Sequence, residues 1–255
     1  MKLQNIFSQL KSNFYYSIKK IFFRVFLFST GNNREIFLKK IYIDWNKKRI
    51  NFLIKVFKKK WFDKKRILEV GAGTGNISKE LKNLNAEVEL TEGNKRNIEL
   101  INLHNPNIKL YVIDHDKSWK NKTPNDYDLI IHFGLLYHLE NWENDLLTCV
   151  EKSKLVALET EVLNTTKNIS LSNREWGDDQ ALNGIGVYCS SKKIEDFFKQ
   201  NNIFYVRYDD PKLNTSHYKY DWIENKKKII KKDGYRRFWI ISKNKNTLGK
   251  LQNHK

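Results

Sequence analysis

The sequence is poor in cysteine, proline and methionine, with 2, 3 and 1 among 255 residues. Two cysteines, Cys149 and Cys189, exclude a disulfide framework and a thiolate metal site, and fit a reducing, cytoplasmic compartment. Three prolines leave little room for long structureless linkers. The six histidines are scattered without paired ligand spacing, so no metal centre is expected. Long apolar runs are also missing. The most apolar early stretch, IFFRVFLFS at 21–29, contains Arg24 and follows Lys19 and Lys20. It is too short to span a bilayer, and no small-residue cleavage site marks it as a removable leader.

Acidic residues are scarce at both ends. Residues 1–66 hold 18 Lys/Arg against 3 acids, and residues 225–255 hold 11 against 1. The middle, 67–224, holds 18 against 25, so a basic frame of net charge +18 overall surrounds an acidic centre. Lysine-rich helix faces and a charge-selected surface both account for such a frame. Hydrophobic residues make up 40% and aromatics 13%, enough to build a core and to exclude a disordered chain.

Residues 3–29 place one apolar side chain per helical turn, which predicts a helix with a single apolar stripe. A second helical pattern runs over 34–60, with Phe37, Ile41, Trp45, Phe52 and Val56 on one side. Residues 1–60 therefore read as a basic helical extension, packed on the main domain or, through residues 1–30, lying on the inner face of an anionic membrane. From residue 66 the pattern changes. Strands are expected at 66–70, 87–92, 108–114, 127–134, 154–162, 203–208 and 236–243. Helices are expected at 75–84, 94–103, 142–152 and 191–201. Alternation of this kind implies an α/β domain over 61–243, with a parallel sheet covered on both faces. Residues 244–255 read as a polar, frayed tail.

The stretch RILEVGAGTGNISKEL, residues 66–81, joins the first strand to a helix through three alternating glycines. Glycine lets the main chain turn sharply and approach a ligand without a Cβ in the way. A turn of this kind sits at the carboxyl edge of a doubly wound sheet. Its G-x-G-x-G spacing, with Glu69 just before it, departs from the dinucleotide pattern and offers an acid to a cationic ligand.

LEVGAGTGNISKEL resembles motif I of the class I S-adenosylmethionine-dependent methyltransferases. VELTEG, LYVID, YDLIIHFGLLYHLENW, SSKKIEDFFKQNNIFYVRYDD and YRRFWIISK extend the resemblance, in order, over residues 60–243. The resemblance implies a doubly wound Rossmann-like seven-stranded sheet of order 3-2-1-4-5-7-6, its last strand antiparallel. It implies S-adenosylmethionine as cofactor and S-adenosylhomocysteine as product. Glu92 stands where the family holds both ribose hydroxyls, and Asp114, with Asp116 as fallback, where it caps the adenine amino group. Glu69, Gly71, Ala72, Gly73, Gly75, Gly93, His115, His132 and Phe133 complete the expected cofactor contacts.

Methyl transfer mainly requires alignment and exclusion of water, and some acceptors also need a base. His138, with Tyr137, is the candidate for that role. Residues 160–191 read as the most irregular stretch and as a lid beside the cofactor. Trp176, Asp178, Asp179 and Tyr188 in it, with Glu161, suit a polyol, sugar or amine. A small-molecule or glycan acceptor is therefore expected, methylated on oxygen or nitrogen. The acidic middle and the absence of an NPPY-type sequence speak against RNA, which stands as the alternative acceptor. A non-catalytic cofactor-binding protein that docks on membranes is the other alternative.

Overall fold

The structure, a computed structural model, describes residues 37, 39–175, 180–231 and 234–252. The stripe expected over 3–29 lies outside the described residues. The strands are β1 (Arg66–Val70), β2 (Glu87–Glu92), β3 (Lys109–Val112), β4 (Leu129–Phe133), β5 (Val156–Glu161), β6 (Ser170–Arg174), β7 (Ile185–Cys189), β8 (Phe204–Tyr208) and β9 (Arg236–Ser242). The helices are α1 (Lys40–Phe57), α2 (Asn76–Lys82), α3 (Lys95–His104), α4 (Trp142–Lys152), α5 (Ser191–Gln200) and α6 (Lys245–Gln252).

Seven strands form one sheet in the order β3-β2-β1-β4-β5-β9-β8. The pairs from β3 to β5 are parallel, and β9 runs antiparallel to both β5 and β8. With the two ribbon strands β6 and β7 set aside, this is the expected order. Period-two alternation sends successive strand residues to opposite faces. Leu129, Ile131 and Phe133 of β4 pack with Ile50, Leu53 and Phe57 of α1 and with Ile77, Leu81 and Ile101 of α2 and α3. Ile130, one residue out of phase, packs with Leu146 and Val150 of α4 and with Ile194 and Phe198 of α5.

Three elements differ from the sequence reading. The buried face of α1 carries Trp45, Arg49, Ile50, Phe52, Leu53 and Phe57, while Ile41 is 36% exposed. The helix is turned so that a cation, Arg49, points inward. Hydropathy alone puts arginine outside, so the apolar pattern could not show this face. The stretch read as irregular contains a two-stranded antiparallel ribbon, β6 with β7. The five residues of β6 are all exposed, so the strand has no apolar alternation to betray it. The stretch read as a frayed tail carries α6, anchored by Leu248, which is 4% exposed.

Candidate active site

The turn after β1 holds Gly71 and Gly73 at φ +58° and Gly75 at φ +73°, a left-handed region that side chains with a Cβ rarely adopt. Close approach reinforces the choice. A Cβ at Gly71 would lie 2.9 Å from Leu135, and one at Gly73 would lie 3.1 Å from the ring of Phe37. The Asn76 side-chain amide donates to the Phe37 carbonyl at 3.0 Å and holds that ring against the turn.

This turn forms one wall of a cavity of about 490 Å³ at the carboxyl ends of β1, β2 and β4. Gly71, Gly73, Glu92, Gly93, Asp114, His115, Asp116 and Phe133 line its first end. Tyr137, His138, Glu161, Tyr188, Tyr218 and Arg236 line the other, with Trp45. Eleven of the eighteen residues expected at the site thus meet around one space. Trp176, Asp178 and Asp179 lie outside the described residues.

Four others take places behind the wall. Glu69 is 4% exposed and faces α2, where its Oε2 accepts from the Ser78 amide at 2.9 Å and from the Ser78 hydroxyl. Burial pushes its carboxyl up to about 7. It is a strut under the turn and does not reach the main cavity. Ala72 faces α1 and Gly75 begins α2. His132 is fully buried on the α4 side of the sheet, because alternation turns it opposite to Phe133. Its Nε2 donates to Asp145 Oδ2 at 2.8 Å.

Asp145 of α4 is the hub beneath the end of the cavity that holds the glycine turn. Its Oδ1 accepts from His115 Nδ1 and from Trp119 Nε1, both at 2.7 Å. His115 Nε2 in turn meets Thr91 Oγ1 at 2.7 Å, and that hydroxyl accepts from the Gly71 amide at 3.3 Å. Burial opposes ionisation of Asp145, but the electrostatic pull of His115 and the hydrogen bonds from His115 and His132 keep its carboxyl well below the usual range. His132, Asp145 and Cys149 bring possible ligand atoms within 4.8 Å of one another. Both Asp145 oxygens are already occupied and burial raises the Cys149 thiol well above its ordinary value, so this group is a hydrogen-bond node.

Glu92 is 7% exposed at the cavity wall. Its Oε1 accepts from the amides of Gly93 and Asn94 at 2.9 and 2.8 Å, and its Oε2 from the amide of Gly73 at 2.7 Å. A carboxylate offers about two lone pairs per oxygen. One position on Oε2 is therefore open to a ribose hydroxyl, and a second hydroxyl would have to exchange with an amide. The bare turn and this open carboxylate position fit a nucleoside cofactor. Asp114 lies at the same end, ion-paired with Lys117 at 2.9 Å.

The other end is built on charges the sequence reading did not single out. Arg236 of β9 donates to Glu159 at 3.1 Å and to the hydroxyl of Tyr137 at 3.1 Å. Its guanidinium lies 4.5 Å from the ring centre of Trp45 and 4.6 Å from that of Tyr218. Glu159 also accepts from Arg49 and Tyr220. Burial raises the Tyr137 phenol far above its ordinary value, which keeps it protonated and able to donate. His138 ends a short 3₁₀ turn, Leu136–His138, and its Nδ1 meets Glu175 Oε2 at 2.6 Å. Glu175 follows β6, and no local pattern could link it to His138, 37 residues away.

Residues 42–206, more than half of the chain, match the family model of a methyltransferase domain. No curated protein matches the sequence. Among solved structures, the N-terminal domain of EvdMO1 with SAH bound aligns with a TM-score of 0.59 at 15% identity, over 83% of this chain and 84% of that one. The same domain in the presence of SAH and D-fucose gives 0.56 at 14% identity, over 80% and 82%. An S-adenosylmethionine-dependent methyltransferase from Clostridium acetobutylicum ATCC 824 gives 0.52 at 11% identity, over 82% and 94%. At these identities the likeness is one of fold, and the match that names a family is the domain model. With that match, the sheet order and the glycine turn before α2, the chain belongs to the methyltransferase-domain family and is a class I S-adenosylmethionine-dependent methyltransferase.

Proposed function

We propose that the enzyme methylates a small-molecule or glycan acceptor, seated beside His138 and Tyr137. The observation that carries this reading is the single cavity joining the glycine turn and Glu92 to His138, Tyr137 and Tyr188. The cofactor supplies a methyl group already activated by the positive charge on sulfur. The chain must hold it, align the acceptor and exclude water. Gly71, Gly73 and Gly93 would give it bare main chain, Glu92 would receive a ribose hydroxyl, and Asp114, on the same wall, would face its base. His115 and Phe133 complete that end.

The aromatic rings of Tyr137, Tyr188, Tyr218 and Trp45 suit the apolar face of a sugar or other hydroxylated ring, and Glu161 suits its hydroxyls. The N-terminal domain of EvdMO1, similar in fold, has a crystal structure in the presence of SAH and D-fucose, which supports the glycan reading. A cavity of about 490 Å³ suits a cofactor and a compact acceptor better than an RNA strand. The catalytic unit, in this reading, begins at α1, because Arg49 and Trp45 of that helix build the acceptor end.

Among the described residues no helix is long and apolar enough to cross a membrane. The test is transfer of label from methyl-labelled S-adenosylmethionine, offered separately to a small-molecule and glycan extract and to total RNA. Label in the first fraction is expected; label confined to RNA would replace this reading with the polynucleotide one.

A further inference from the structure

The geometry points to a second assignment, resting on the reading just given: Glu175 positions His138 as a base, and the pair serves an acceptor that attacks through a hydroxyl oxygen. Glu175 has a side chain only 2% exposed. Its Oε2 accepts from His138 Nδ1 at 2.6 Å and from the Ala181 amide at 2.9 Å, and its Oε1 accepts from the Tyr188 hydroxyl at 2.7 Å. The ribbon is shaped around this carboxylate. A Cβ at Gly186 would overlap the Glu175 carboxylate and lie 2.6 Å from the Tyr137 carbonyl.

An ionised carboxylate only accepts hydrogen bonds. Burial opposes ionisation of Glu175, but the donors around it, His138 first, hold its carboxyl below the ordinary value. Facing it, Nδ1 of His138 must carry the proton. In the neutral imidazole Nε2 then holds the lone pair. His138 lines the cavity with its side chain 14% exposed, and no described residue bonds its Nε2. The tautomer is thus fixed from behind and the basic nitrogen is left for the acceptor.

This equipment matches one acceptor chemistry. A neutral amine attacks through a lone pair it already has, and gives up its proton afterwards. An aliphatic hydroxyl is a poor nucleophile until its proton is taken. In the step assigned here the hydroxyl proton moves to Nε2 as the oxygen lone pair forms the O–CH₃ bond. The C–S bond breaks, its electron pair stays on sulfur, and the positive charge passes to the imidazolium beside Glu175. Solvent later takes the proton.

The experiment uses the full chain, ¹³C-methyl S-adenosylmethionine and a small-molecule and glycan extract. Carbon chemical shift tells O-methyl from N-methyl product, and O-methyl is expected. N-methyl product overturns this assignment but leaves methyl transfer intact, whereas no label in any small molecule or glycan overturns the parent reading. With the labelled compound as substrate, Glu175→Gln and His138→Gly should each lower kcat about a hundredfold or more. S-adenosylhomocysteine affinity should stay within about twofold by calorimetry, which also reports folding. Added imidazole should restore turnover to His138→Gly, a rescue that a packing role would not give. Unchanged kcat in Glu175→Gln, or no rescue in a folded His138→Gly protein, overturns the assignment.

Discussion

Arg49 on α1 and Glu159 on β5, 110 positions apart in the chain, meet at 2.6 Å in a pair whose side chains are 1% and 0% exposed. The pair ties the helix before the sheet to the strand beneath the end of the cavity lined by Tyr137 and Arg236. Arg49 also stacks on Trp45 at 3.1 Å from the ring centre, so one side chain links helix, strand and cavity wall. Removing Arg49 takes the shorter of two arginine partners from the buried Glu159, which keeps Arg236 and Tyr220. Arg49→Ala should therefore cost about 1.5–3 kcal/mol of stability, the scale of a hydrogen bond to a charged group. Urea unfolding measures it, and a loss below about 1 kcal/mol would mean that water reaches Glu159.

Glu92→Ala should weaken cofactor binding by about 1.5–3 kcal/mol, the scale of a hydrogen bond to a charged group. The same change strips the partner from three backbone amides, those of Gly73, Gly93 and Asn94. Part of the loss would then come from a slackened turn. Glu92→Gln keeps the Gly93 and Asn94 amides on its carbonyl oxygen but turns its amide nitrogen toward the Gly73 N–H, so it should lose cofactor affinity with less slackening of the turn. Calorimetry with S-adenosylhomocysteine on both variants is the measurement. Equal affinity for Glu92→Ala and the parent would remove Glu92 from the cofactor site.

What the sequence disclosed and what it hid divide along physical lines. The strand order and the place of Glu92 came from the family resemblance, whereas the glycine turn and the strand segments were legible because each is written in local pattern: a left-handed turn needs glycine, and a buried strand needs an apolar run. Arg236 and Glu159 were not, because a buried charge is recognisable only beside its partner, and their contacts span 77 and 110 residues. His132 lies off the cavity because alternation from Phe133, which reaches it, turns His132 toward Asp145 of α4. Glu175 stands in the stretch expected as a lid, yet its contact with His138 depends on Gly186 letting the ribbon come close.

Stability should fall as pH rises from about 4.5 to 7, and Glu69 is the cause. Burial lifts its carboxyl from the ordinary 4.5 to about 7 in the folded protein. Between those values the folded chain binds more protons than the unfolded chain, and linkage then makes stability decrease with pH. The contribution is complete below 4.5 and gone above 7, on the order of 3 kcal/mol at about 1.4 kcal/mol per pH unit. Glu69→Gln cannot ionise and should lack this slope while keeping an acceptor for Ser78. Urea midpoints across pH 4.5–8 for both proteins test it; parallel curves would show that Glu69 ionises freely.

Asp145 should control cofactor affinity although it does not line the cavity. It fixes His115 through Nδ1, His115 fixes the Thr91 hydroxyl, and that hydroxyl receives the Gly71 amide. The chain runs from α4 to the cradle through three hydrogen bonds, each with its donor and acceptor assigned once Asp145 is ionised. Asp145→Asn breaks the pattern, because an amide can accept at only one end while three donors, on His115, His132 and Trp119, point at the site. One donor is left buried and unsatisfied, a cost of about 1–3 kcal/mol. If His115 rotates to relieve it, Thr91 and Gly71 lose their setting and S-adenosylhomocysteine affinity falls by about tenfold, equivalent to about 1.4 kcal/mol. Thr91→Val, which keeps the shape but removes the hydroxyl link, should show a similar loss of affinity. A weakened Asp145→Asn beside an unaffected Thr91→Val would place the effect in the core packing under His132 instead of in the relay to the turn.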